Sequence, residues 1–113
     1  IEKLDYKNIE IVIVNDGSTD NSQQIIDEYA EKDYRILAYS QPNQGQGVAR
    51  NVGLSFSTGK YIYYMDSDDI LSENTLEECY SLCESKQLDF IIFDAESFGN
   101  NKKGFNYICR MCF

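Results

Sequence analysis

The amino-acid sequence predicts an α/β fold with a mostly parallel sheet, and three features carry that prediction. Four short runs rich in β-branched and aromatic residues alternate with segments whose apolar residues recur at helical spacing. Two of those runs end directly in clusters of Asp, Asn, Ser and Gly. The chain has 113 residues, 42% of them hydrophobic, which suits one core and one domain over 1–113.

Ile9-Glu10-Ile11-Val12-Ile13-Val14 is nearly continuous in β-branched residues, the pattern of a strand buried on both faces of a parallel sheet. It stops in Asn15-Asp16-Gly17-Ser18-Thr19-Asp20, a run of turn and cap residues. Asp20 with Gln23 resembles a capping box, and Ile25, Ile26, Tyr29 and Ala30 follow at helical spacing. A second strand is expected over Arg35–Ser40, ended by Gln41-Pro42-Asn43 because proline cannot donate to a ladder. Val48, Ala49, Val52 and Phe56 then form the stripe of a helix over Gln46–Phe56, closed by Ser57-Thr58-Gly59. Tyr61–Met65 reads as a third strand running into Asp66-Ser67-Asp68-Asp69. Ser72 is the expected N-cap of a helix from Glu73 to Lys86, and Phe90–Phe93 reads as a fourth strand. The tail from Gly99 to Phe113 suits a hairpin or a short helix.

The net charge is −9, which opposes binding of nucleic acid, whose phosphates need clustered Lys and Arg. An anionic ligand then requires a cation or a local arginine to offset the field. The apolar runs are too short to cross a bilayer, and Ile1–Asp5 lacks the basic start and apolar stretch of a signal peptide, so a cytoplasmic location is expected. Cys79 with Cys83, and Cys109 with Cys112, admit a four-cysteine zinc site, although small residues packed on an amphipathic helix account for the first pair equally.

In a parallel α/β sheet, ligands bind outside the carboxyl ends of the strands. Asp16 follows the first predicted strand, and Asp66 and Asp68 follow the third. Two residues separated by one on an extended backbone point to the same side, so Asp66 and Asp68 are expected to share an ion or ligand. Their mutual repulsion, and that of a diphosphate, is relieved by a divalent cation. Oxygen-only donors favour Mg²⁺ or Mn²⁺, and the chain has no histidine.

Four blocks now stand in order: Asn15-Asp16-Gly17-Ser18-Thr19-Asp20, Gln44-Gly45-Gln46-Gly47-Val48-Ala49-Arg50-Asn51 with Gly53, Thr58-Gly59-Lys60-Tyr61-Ile62, and Met65-Asp66-Ser67-Asp68-Asp69. Together they resemble glycosyltransferase family 2. The resemblance implies a GT-A fold, a Rossmann-like three-layer sandwich, and inverting transfer of a sugar from a nucleoside-diphosphate sugar, a UDP-sugar before others, to a saccharide or lipid-linked acceptor. It implies that Asp16 binds the nucleobase, that Arg50 closes over base or phosphates, and that Asp66 and Asp68 form the Asp-x-Asp motif holding Mn²⁺ or Mg²⁺. Asp69 is a candidate for the acceptor side.

Family members begin with a strand and turn ahead of the segment seen here, so the chain reads as a partial nucleotide-sugar-binding domain with the N-terminal strand missing. An uncovered central sheet edge then implies self-association into a homo-oligomer, or little activity in isolation. Missing segments are also where peripheral association with the inner face of a membrane is expected. No residue matches the family's catalytic base; Asp94 and Glu96 are acidic but stand in no matching motif.

Two other enzyme and binding classes share part of the pattern. A haloacid-dehalogenase-like Mg²⁺-dependent phosphatase also places Asp-x-Asp after a strand, as nucleophile and acid–base pair, but it wants Thr or Val where Ile70 stands. A non-catalytic module binding a nucleotide or a divalent cation is the other class. Asp66, Asp68, Ser72, Asn74 and Glu77 fall at EF-hand ligand positions, with Leu71 where that loop demands glycine.

Overall fold

The computed structural model describes residues 7–93 and 109–110. These residues fall into two compact units, one over Lys7–Gly59 and the other from Lys60 onward.

In the first unit the order is β1 (Ile11–Asp16), α1 (Ser22–Lys32), β2 (Ile36–Gln41) and α2 (Gln46–Phe56). β1 and β2 pair in parallel with Ile11 opposite Ile36, Val14 opposite Tyr39 and Asp16 opposite Gln41. The expected βαβ unit is therefore present, and α2 has the bounds that its apolar stripe predicts.

Alternation along β1 sends its side chains to two faces, and each face takes one helix. On the even-numbered face, the backbone of α2 comes close at Gly53, where a Cβ would stand 3.6 Å from Val14 Cγ2 and 4.0 Å from Val12 Cγ1. Phe56 of α2 stacks on Tyr39, the β2 partner of Val14, with ring centroids 3.8 Å apart. On the odd-numbered face, buried Asn15 donates its side-chain amide to Gln23 of α1 at 2.7 Å. Helix, sheet and helix form three layers within this unit, the small α/β arrangement expected of a fragment of the GT-A, Rossmann-like fold. Ile36, 6% exposed, is its buried aliphatic residue.

The capping box expected at Asp20 and Gln23 does not form. Asn21 occupies the N-cap position of α1 without a side-chain cap. Asp20 instead accepts the Ser22 amide two residues on, and Gln23 is drawn away by Asn15 and by Asp27. A buried asparagine needing a partner outweighs a solvent-exposed local cap. At the other end of α1, Asp33 accepts the Arg35 amide and forks with its guanidinium, fixing the turn into β2.

In the second unit, Tyr61–Met65 joins no ladder among the described residues, contrary to the expected third strand. Its aromatic and β-branched composition suits a half-buried surface, but a strand also needs a partner, and composition does not supply one. α3 spans Thr75–Lys86, beginning two residues later than predicted, with Asn74 at the N-cap. Ser72 contributes its carbonyl to the Thr75 amide instead. α3 ends at Gln87 in the left-handed conformation, φ +53°, and the Leu88 amide returns to the Cys83 carbonyl. The fourth predicted strand shortens to β3 (Ile92–Phe93), which pairs antiparallel with β4 (Cys109–Arg110). The rest of the tail, with Asp94, Glu96 and Cys112, lies outside the described residues.

Candidate functional site

Asp16 is the last residue of β1, on the face that α2 covers. Its carboxylate is gripped by the loop between β2 and α2. Oδ1 accepts the Gln41 side-chain amide at 2.8 Å and the Gln44 backbone amide at 2.9 Å, and Oδ2 accepts the Gly45 backbone amide at 2.8 Å. The Gln44 amide, then the Gln41 side chain, hold the Asp16 carboxyl below its ordinary value, so it is ionised at neutral pH. An ionised carboxylate offers about four lone-pair positions and only accepts. Three are taken by these donors, which leaves one on Oδ2 for a ligand N–H or O–H.

The loop can reach Asp16 because of two glycines. Gly17, φ +74°, lets the chain after β1 run so close to the chain after β2 that a Cβ would meet the Asn43 nitrogen at 2.7 Å. Gly45 stands at the N-cap of α2 with φ +91° and ψ 155°, a region essentially reserved for glycine. Both strand ends and the N-terminus of α2 thus converge on one carboxylate. Arg50, exposed, lies one turn into the same helix.

In the second unit, Asp66, Ser67, Asp68 and Asp69 are all exposed. The Asp69 amide donates to the Asp66 carbonyl at 3.1 Å, closing a turn with Ser67 and Asp68 at its centre. Asp66 and Asp68 are therefore neighbours through a turn, and the extended-strand geometry expected to align them is absent. Tyr61–Met65 joins no ladder among the described residues, so strand pairing there does not carry an extended backbone into the acidic run.

A divalent cation suits the chemistry of this turn. The donors are carboxylate oxygens, and the described residues contain no cluster of three or more His, Cys, Asp or Glu able to hold a metal by themselves. Carboxylate oxygens are hard donors, which suit a hard divalent cation.

Three residues that shape these segments were given no site role by the sequence. Asn15, 6% exposed, accepts the Ser18 amide at 2.9 Å and so folds the turn that follows Asp16. Glu10 accepts the amides of Thr58 and Gly59, at 2.5 and 2.6 Å, and holds the exit from α2 against the start of β1. Glu84 on α3 accepts from Lys60 and from the Tyr61 hydroxyl. The polar residue after a β-branched run, at Asn15, was a detectable signal; the other two contacts cross more than twenty residues and leave no local trace.

Cys83 is 1% exposed and Cys79 is half-buried, both as free thiols one turn apart on α3. Burial pushes both thiols up, with a smaller contribution at Cys79 from neighbouring Cys83. Packing accounts for this pair. The side chains of Cys109 and Cys112 lie outside the described residues.

The family profile described as Glycosyl transferase family 2 matches residues 1–108. Among curated proteins, the chain is 44% identical over 102 residues to glycosyltransferase GlyA of Streptococcus pneumoniae, covering 90% of this chain and 14% of that protein. It is 39% identical over 108 residues to glycosyltransferase GlyG of the same organism, covering 95% and 36%. With the minor teichoic acid biosynthesis protein GgaB of Bacillus subtilis it shares 36% identity over 101 residues, covering 84% and 11%. The chain thus spans about a third or less of the length of these relatives.

Proposed function

This chain belongs to glycosyl transferase family 2, and from that premise we propose that it supplies the donor-binding part of an inverting glycosyltransferase acting in polysaccharide or glycoconjugate synthesis. The donor is a nucleoside-diphosphate sugar, a UDP-sugar before others. The acceptor is a saccharide or a lipid-linked saccharide. Teichoic acid synthesis, named for one relative, supports an envelope-polymer setting.

The observation that carries this reading is Asp16. It is an acceptor ionised at neutral pH, at the carboxyl end of a parallel strand, with one lone-pair position left on Oδ2. Strand ends of this kind are where α/β folds bind nucleotides. An acceptor-only group suits a base that presents an N–H, as uracil, guanine and cytosine all do. Arg50 supplies positive charge toward base or phosphates in a chain of net charge −9. Asp66 and Asp68 hold Mn²⁺ or Mg²⁺, which when bound offsets the negative charge that grows on the departing diphosphate. Asp16 and Arg50 orient the nucleotide, while Asp66 and Asp68 set the charge at the diphosphate. In the transfer, the acceptor oxygen bonds to the anomeric carbon from the face opposite the leaving group. The bond to the diphosphate oxygen breaks, and the hydroxyl proton passes to a base that none of these residues supplies.

Family members commonly use a divalent cation, and no helix among the described residues is long and apolar enough to cross a membrane. We place the transferase in the cytoplasm, at the inner face of the membrane when the acceptor is lipid-linked. Self-association into a homo-oligomer belongs to the same proposal.

Calorimetry of the intact protein with UDP, GDP and CDP, with and without Mn²⁺, tests these roles. UDP is expected to bind more tightly with Mn²⁺, and Asp68→Ala is expected to abolish the metal increment while leaving metal-free binding in place. Asp16→Ala is expected to weaken UDP with and without metal. Absence of nucleoside-diphosphate binding by a folded protein refutes the donor role. An unaltered Mn²⁺ increment in Asp68→Ala refutes the metal assignment alone.

A further inference from the structure

The acidic turn Asp66–Asp69 lies between two points that one helix holds. Upstream, Tyr61 is fixed twice by α3: its ring packs edge-on against Tyr80 with centroids 5.9 Å apart, and its hydroxyl donates to Glu84. Tyr80 and Glu84 are one helical turn apart and so share a face. The same Glu84 oxygen accepts from Lys60 at 2.5 Å, and the Lys60 ammonium lies 5.1 Å from the Tyr61 ring centroid. Downstream, the chain enters α3 at Thr75. Residues 62–74 are therefore a loop whose upstream stem Glu84 holds against α3 and whose downstream end is continuous with that helix.

We propose that Glu84 is a positioning residue for the acidic turn: by clasping Lys60 and Tyr61 it closes the loop that presents Asp66 and Asp68 to a divalent cation bound with a nucleoside diphosphate. This rests on the cation-binding role given to Asp66 and Asp68 above. Closing a loop at its stem removes conformations that its tip could otherwise adopt, so the two carboxylates meet the cation with less entropy still to lose. Lys60 and Glu84 hold each other charged, the carboxyl below its ordinary value and the ammonium above, first through their mutual hydrogen bond and then through Tyr61. Both side chains are exposed, and exposed ion pairs add little to global stability. Loss of the clasp therefore acts on the loop more than on the fold.

The test measures Mn²⁺ binding in the presence of UDP by electron paramagnetic resonance, and UMP binding without metal by calorimetry, in the intact protein. Glu84→Ala is expected to weaken Mn²⁺–UDP binding about threefold to tenfold, in the range of substitutions that act without touching the ligand. UMP affinity and the melting midpoint are expected to stay near wild type. Glu84→Gln keeps an oxygen for the Tyr61 hydroxyl and is expected to recover part of the loss; Tyr61→Phe is expected to show a smaller one. Mn²⁺–UDP affinity within twofold of wild type in Glu84→Ala overturns the proposal, as does a fall in which UMP binding and the melting midpoint decline together. Where Asp68→Ala abolishes the Mn²⁺ signal and Glu84→Ala leaves it intact, the metal site stands and Glu84 alone is excluded. Absence of Mn²⁺–UDP binding in the wild type overturns the donor-site role and the clasp with it.

Discussion

Three glycines near the Asp16 grip differ in what an added methyl group meets, so Gly→Ala at each gives a graded test of the site's construction. At Gly17 the substitution carries two costs. The positive φ of +74° is disfavoured for alanine by about 1–2 kcal/mol. The new Cβ also stands 2.7 Å from the Asn43 nitrogen and 3.1 Å from its Cβ. That neighbour is backbone, which no rotamer change can move aside, and overpacking of this kind costs about 1–3 kcal/mol more. Gly17→Ala is thus expected to destabilise by about 2–5 kcal/mol in total. At Gly45 there is open space, so only the backbone strain of φ +91° remains, about 1–3 kcal/mol. At Gly47, inside α2, nothing lies within 4 Å, and alanine is expected to be neutral or to stabilise by up to about 1 kcal/mol. Urea unfolding followed by far-ultraviolet circular dichroism reads all three. The order Gly17→Ala, Gly45→Ala, Gly47→Ala from least to most stable is the expected outcome. Relief of the Gly17 clash must shift residues 42–44, which draws the Gln44 amide from Asp16, so nucleotide affinity is expected to fall in the same variant. A Gly17→Ala protein within 0.5 kcal/mol of wild type, or a Gly47→Ala protein equally destabilised, refutes the close approach of the two loops; the ~0.5 kcal/mol threshold is the usual scatter of neutral surface substitutions.

Two further outcomes follow from the titrating groups. Asp16 and Asp33 are both held below the ordinary carboxyl range, by the Gln44 amide first and the Arg35 side chain first respectively, so folding favours their ionised forms. Their contribution is complete above the unfolded value of about pH 4 and is lost as pH falls through the lower folded value. The urea midpoint is expected to drop below about pH 4, and Asp16→Asn or Asp33→Asn to flatten that acid limb; a limb of unchanged slope in both variants contradicts the assignment. For the thiols, burial raises both pKa values but encloses Cys83 more fully, so iodoacetamide is expected to modify Cys79 before Cys83 in the native state. Mass spectrometry that finds the two labelled at equal rates contradicts the packing of α3.

Periodicity and turn chemistry are local properties, and what they specify is visible in the chain itself. β-Branched runs gave β1 and β2, the apolar stripe gave the bounds of α2, and the four motif blocks gave family membership, with Asp16 at a strand end. The sequence alone also excluded a histidine-ligated metal site within these 113 residues, since no histidine is present. Pairing is not local. Tyr61–Met65 has the composition of a strand but no ladder partner among the described residues, and with the ladder goes the extended alignment of Asp66 and Asp68. The Asp20–Gln23 cap yielded to the need of buried Asn15 for a partner eight residues away. Tertiary structure likewise decided that Asp16 spends three of its acceptor positions on the Gln41–Gly45 loop, and that Glu84 reaches back to Lys60 and Tyr61. Side chains can be chosen by their neighbours in sequence for a helix or a strand, but a hydrogen bond goes to whichever donor the folded backbone brings within about 3 Å.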